Sequence, residues 1–84
     1  MLAVVPFEDE DEAVRLANDT EYGLGAGIYT ADGRRAFRLA RKLRAGTVGI
    51  NGFQIEPHLP FGGFKQSGLG REGGQSAFEA YTEL

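Results

Sequence analysis

The apolar positions change period along the chain, and each change marks an element. Leu2, Val4, Val5 and Phe7 form a short run with no polar alternation, which predicts a strand buried on both faces, as in a parallel sheet. After the acidic block of residues 8–12, Ala13, Leu16, Ala17 and Thr20 recur at i, i+3, i+4 and i+7, with Val14 widening the stripe. That period predicts a helix over about residues 9–19. Asp9 and Glu12 have capping-box spacing, and carboxylates favour the positive end of a helix. Gly23, Gly25 and Gly27 then lead into Ile28, Tyr29 and Thr30, which read as a second strand with small residues where another element crowds it. Asp32-Gly33 predicts a turn and an N-cap. Ala36, Phe37, Leu39, Ala40 and Leu43 give the next helix its apolar face, and Gly46 is expected to close it. Residues 47–51 (Thr-Val-Gly-Ile-Asn) read as a third strand.

The predicted fold class is therefore α/β: a βαβαβ unit with a parallel sheet and helical cover. A long glycine-rich loop follows, then a short helix over residues 74–80 and the start of a final strand from Tyr81. The loop, residues 59–72 (LPFGGFKQSGLGRE), follows neither the helical nor the strand period, and it contains Gly62, Gly63, Gly68 and Gly70. Phe61, Phe64 and Leu69 are side chains a disordered segment tends to lack, so the loop is read as ordered and packed. Residues 52–60 leave the carboxyl end of the third strand, the edge where open α/β sheets bind ligands. Phe53, Ile55, Leu59 and Phe61 are candidates to line a pocket there. Glu56 would favour a cationic substrate if turned inward, although an exposed loop carboxylate is the simpler reading. His58, the lone histidine, is read as a surface or hydrogen-bonded side chain.

Composition narrows this picture. With 84 residues the chain is one domain at most and buries a modest core. Thirteen glycines, about twice average usage, point to tight turns or close backbone approach. Arg34, Arg35, Arg38, Arg41, Lys42 and Arg44 cover one face of the second helix. At a net charge of −3, with the one aromatic of the helix, Phe37, assigned to the apolar face, they read as a solvated face and not as a nucleic-acid surface. No apolar run is long enough for a membrane span, and residues 1–6 are too short for a signal peptide. The absence of cysteine excludes disulfides, thiolate metal sites and a cysteine nucleophile within these residues. The cytoplasm stands only as the default compartment. Residues 8–12 lack the glycine and spacing of a calcium loop. Residues 68–73 formally match G-x-G-x-x-G, but no strand precedes them and no acidic residue stands the required distance beyond.

Residues 60–68 (PFGGFKQSG), continued by Gly70-Arg71-Glu72, resemble the C-terminal signature of the NAD(P)-dependent aldehyde dehydrogenase superfamily. Residues 46–51 (GTVGIN), 21–24 (EYGL) and 80–83 (AYTE) resemble it too, so the likeness covers the chain in order. It implies that residues 1–84 are a C-terminal fragment of a catalytic domain. In such enzymes a cysteine thiolate attacks the aldehyde, hydride passes to NAD or NADP, and a glutamate activates the water that releases the acid. The resemblance places those groups and the cofactor domain upstream, leaving no catalytic, cofactor or metal residue here. It implies that Phe61, the aromatic before the paired glycines, lines the aldehyde tunnel. It nominates Ile55, Glu56 and Leu59 less firmly. The partners it implies are the remainder of the chain, an aldehyde and further copies in a homo-oligomer. A stand-alone α/β binding or oligomerisation module is the alternative. The run at residues 2–7 starts as if cut from something longer, and open strand edges predict weak stability or self-association.

Overall fold

The computed structural model describes residues 1–83. Its order is α1 (Glu10–Asn18), β1 (Gly25–Ile28), α2 (Gly33–Ala40), β2 (Thr47–Ile50), a 3-10 turn (Lys65–Ser67) and a 3-10 helix (Gln75–Tyr81). The two strands pair in parallel, with Gly25 opposite Thr47 and Ile28 opposite Ile50. A parallel pair requires a crossover, and α2 supplies it while packing on both strands. The α/β class and the parallel sheet are those the apolar pattern predicts.

Local capping explains where the helices begin. Asp9 Oδ1 accepts from the Glu12 N–H at 2.8 Å, and Asp32 Oδ1 accepts from the Arg35 N–H at 3.2 Å. Each satisfies a donor that the first helical turn leaves free. Ala13, Val14 and Ala17 of α1 face Ile28, Leu39 and Leu43 across a cleft. Glu10 of α1 bridges Arg35 (2.6 Å) and Arg38 (2.9 Å) of α2. All three side chains are partly exposed, so these pairs contribute at most about 1 kcal/mol each. Arg34 of α2 and Arg41 just beyond it are exposed, as expected of an outer helix face.

Three expectations change. Residues 2–7 are not a strand: among the described residues no neighbour is paired with them, and Leu2 and Val4 are 87% and 84% exposed. A strand without a ladder leaves its backbone groups to water, so nothing fixes it as one. Gly46 does not cap α2. The helix ends at Arg41, and the chain beyond is held by Asn18, whose Nδ2 donates to the Lys42 carbonyl and whose Oδ1 accepts from the Arg44 N–H. The short helix expected over residues 74–80 is present as a 3-10 helix, Gln75–Tyr81, with no buried residue. Without an apolar face to bury, a short helix there has little to stabilise it. Tyr81 belongs to that helix. Thr82 is extended but unpaired among the described residues, and Leu84 of the expected last strand lies outside them.

The core is small. Ala36 is the one apolar side chain, among the described residues, that is fully shielded. The Cα radius of gyration is 14.6 Å, where a compact chain of this length has about 12 Å. The accessible surface is 6992 Å², where a folded monomer of this size exposes about 4,900 Å². The excess, on the order of 2,000 Å², is what a large interface would cover.

Candidate functional site

The loop of residues 59–72 is fixed at both ends and in the middle. Phe61 and Glu72 exchange two backbone hydrogen bonds, 2.7 Å from the Phe61 N–H and 2.8 Å from the Glu72 N–H. This antiparallel bridge closes the loop on itself. The Arg71 guanidinium lies inside the closure. Its Nη1 donates to the Gly63 carbonyl at 2.8 Å and the Gly70 carbonyl at 2.7 Å, and it sits 4.9 Å from the centre of the Phe64 ring. Two carbonyls and an aromatic face thus hold one cation.

The loop is also bound to the strand-and-helix unit. The Phe64 and Gly46 N–H groups both donate to the Gly23 carbonyl, at 2.9 and 3.1 Å. Ser67 Oγ accepts from the Gly23 N–H at 2.8 Å, and the Gln66 N–H donates to the Glu21 carbonyl at 2.8 Å. Lys65 reaches back to the end of α1, where its Nζ donates to the carbonyls of Asn18 (2.9 Å) and Thr20 (3.0 Å). A cation at a helix C-terminus meets both the unpaired carbonyls and the negative end of the dipole. The backbone of Lys65 is left-handed, φ 54°, which costs a non-glycine residue on the order of 1 kcal/mol. Replacing Lys65 by methionine is therefore expected to lower stability by about 1.5 kcal/mol. Replacing it by glycine should cost less, because the strain goes with the ammonium. Urea unfolding of the two variants in the full-length protein checks the order.

Gly46 decides where the loop sits on the sheet. A Cβ at Gly46 would overlap the Gly62 carbonyl, so only glycine lets β2 and the Phe61-Gly62-Gly63 backbone approach this closely. Farther along, the Leu59 N–H donates to the Glu56 carbonyl at 3.0 Å, and the Gly74 N–H donates to the Pro57 carbonyl at 3.0 Å. The segment leaving β2 is thereby tied to the residues that follow the loop.

Between β2 and these two pinned stretches lies an open hollow of about 320 Å³. Ile55, Glu56, Leu59 and Phe61 line it together with Thr47 and Val48 at the start of β2. All four residues nominated from the sequence thus meet in one place. Phe61 and Glu56 are half-buried, whereas Ile55 and Leu59 are mostly exposed. Phe53, the other candidate, lies instead against Gly25 of β1, where a Cβ would stand 3.2 Å from its ring. His58 is exposed, and its Nδ1 lies 4.0 Å from Glu56 Oε2, beyond hydrogen-bond reach. Sequence reasoning missed Thr47, Val48 and Gln54 as lining residues. Gln54 was within reach, as the neighbour of Ile55 in the same segment. Thr47 and Val48 carried no signal beyond strand propensity.

Among the described residues, the glycine run of residues 68–73 neither follows a strand nor opens an α-helix, so it lacks the strand-to-helix context of a dinucleotide-binding loop. No helix among the described residues is long and apolar enough to cross a membrane.

A loop folded on itself by a Phe-Gly-Gly stretch and an arginine, docked on a parallel strand pair, has close counterparts. The sequence pattern described as "Aldehyde dehydrogenase family" matches residues 1–84. An aldehyde dehydrogenase of Rhodospirillum rubrum is 51% identical over 99% of the chain, and a betaine aldehyde dehydrogenase of Brucella anthropi is 47% identical over all of it. The chain covers 17% and 18% of those two relatives. Among solved structures, Mycobacterium tuberculosis aldehyde dehydrogenase complexed with NAD+ superimposes with a TM-score of 0.94 at 40% identity, over 98% of this chain and 17% of that one. An indole-3-acetaldehyde dehydrogenase in apo form gives 0.94 at 48% identity, over 99% and 20%. The chain spans less than a fifth of the curated relatives it matches, and it belongs to the aldehyde dehydrogenase family.

Proposed function

We propose that residues 1–84 are the C-terminal part of the catalytic domain of an NAD(P)-dependent aldehyde dehydrogenase, supplying one wall of the aldehyde site and a scaffold for its neighbours. The single observation that carries this reading is the hollow that gathers Ile55, Glu56, Leu59 and Phe61 against β2. Its lining is mixed and mostly apolar, as small-molecule sites are, and its aromatic is held by a closed hydrogen-bonded bridge. Position matters more than chemistry for such a wall. It orients the substrate and excludes water while other residues react with the carbonyl.

The chain contains no cysteine, so the thiolate that the family's reaction requires comes from elsewhere in a longer polypeptide. The nicotinamide cofactor supplies hydride acceptance when bound, and no residue described here forms its cradle. Purified residues 1–84, mixed with NAD and a panel of aldehydes, should therefore produce no NADH. In the full-length enzyme that carries them, Phe61→Ala should shift the ranking of aldehydes by chain length and bulk. The loss should be about tenfold or more for the best substrate, since even one missing methylene in an apolar pocket removes roughly 1–3 kcal/mol of discrimination. An unchanged ranking across the panel would refute the assignment of this wall.

A further inference from the structure

We propose that Arg71 is a positioning residue for the aldehyde site, setting the direction in which Phe61 enters the hollow and hence the ranking of aldehydes by bulk. The inference rests on the reading of Phe61 as a wall of that site, and it adds the group that aims the ring. Phe61 and Phe64 are separated by Gly62 and Gly63, the residue type whose backbone is least restricted. The bridge to Glu72 holds Phe61, and the Gly23 carbonyl holds the Phe64 N–H. The glycine pair between them turns freely unless something grips it. Among the described residues, the hydrogen bond that grips it runs from Arg71 Nη1 to the Gly63 carbonyl, at 2.8 Å.

Arg71 also fills the space beside Gly62. A Cβ at Gly62 would stand 2.7 Å from Arg71 Cδ and 2.9 Å from Nη1, so the arginine stem lies against the Cα that follows Phe61. The same Nη1 donates to the Gly70 carbonyl, which ties the two arms of the loop together. Cζ lies over the Phe64 ring. Among the described residues no carboxylate pairs with this half-buried guanidinium. Its partners are two carbonyls and a ring, all within the loop, so the group acts on the loop's shape. A planar guanidinium can donate to both carbonyls and stack at once, which a lysine ammonium cannot.

The test is a double-mutant cycle in the full-length enzyme. Its readout is the ratio of kcat/KM for the best bulky aldehyde to that for the shortest one, with the thermal midpoint measured alongside. Arg71→Met keeps an unbranched stem and should shift the ratio about fivefold. In a Phe61→Ala background it should shift the ratio less than about twofold, because the ring it aims is gone, while its effect on the midpoint persists. Arg71→Lys runs the same cycle where the methionine variant does not fold, with a smaller shift that again vanishes without the Phe61 ring. An equal shift in both backgrounds would make Arg71 a general brace of the fold and overturn the proposal. So would an unchanged ratio in Arg71→Met, whatever the midpoint does. If Phe61→Ala alone leaves the ratio unchanged, the wall reading fails and this inference with it.

Discussion

Gly46→Ala is expected to destabilise the full-length protein by about 3 kcal/mol and to displace the wall of the hollow. The added methyl would fall on the Gly62 carbonyl and stand 2.7 Å from the Gly62 carbonyl carbon and 3.3 Å from Gly63 Cα. All three are backbone atoms, so no side chain can swing aside. Either β2 retreats from the loop or the loop lifts from β2. The first weakens the ladder with β1 and the donation from the Gly46 N–H to the Gly23 carbonyl, and the second breaks the donation from the Phe64 N–H of the loop to that same carbonyl. Phe61 adjoins Gly62, so the aromatic moves with it. Differential scanning calorimetry should show a lowered midpoint, and activity on bulky aldehydes should fall more than the midpoint alone explains. Gly33→Ala is the control, because a Cβ there meets nothing within 4 Å and its φ lies outside the left-handed region. A Gly46→Ala protein as stable as the control would show that the close approach carries no weight.

The second large effect concerns residues 1–84 on their own. They are expected to self-associate at micromolar concentration, to bind a hydrophobic dye and to lack a sharp unfolding transition. Leu2, Val4, Val5 and Phe7 at one end and Phe78 and Tyr81 at the other are exposed, and only Ala36 among the described residues is a fully buried apolar side chain. The strand pair has open edges among the described residues, which template pairing with other chains. The excess surface of about 2,000 Å² is as large as stable interfaces bury, so contact with a second copy offers the apolar cover that the small internal core does not. Sedimentation velocity across a concentration series reads this directly. A monomer with a cooperative transition independent of concentration would contradict it, and would favour a free-standing module.

Local order was legible in the sequence wherever its cause lies within about four residues. The caps at Asp9 and Asp32, the apolar stripes of α1 and α2, and the strand Thr47–Ile50 all follow from hydrogen bonds and side-chain periods of that reach. The four residues that meet at the hollow were nominated by a family signature and by their place after a strand end, not by any periodicity. Tertiary structure alone decided the rest. It made Gly46 a contact with Gly62 and not a helix cap, set Lys65 on carbonyls more than forty positions back, and left residues 2–7 without the neighbour a strand needs. Those outcomes depend on which distant backbone arrives within a few ångströms, and neither the spacing of apolar residues nor the identity of a single glycine encodes that.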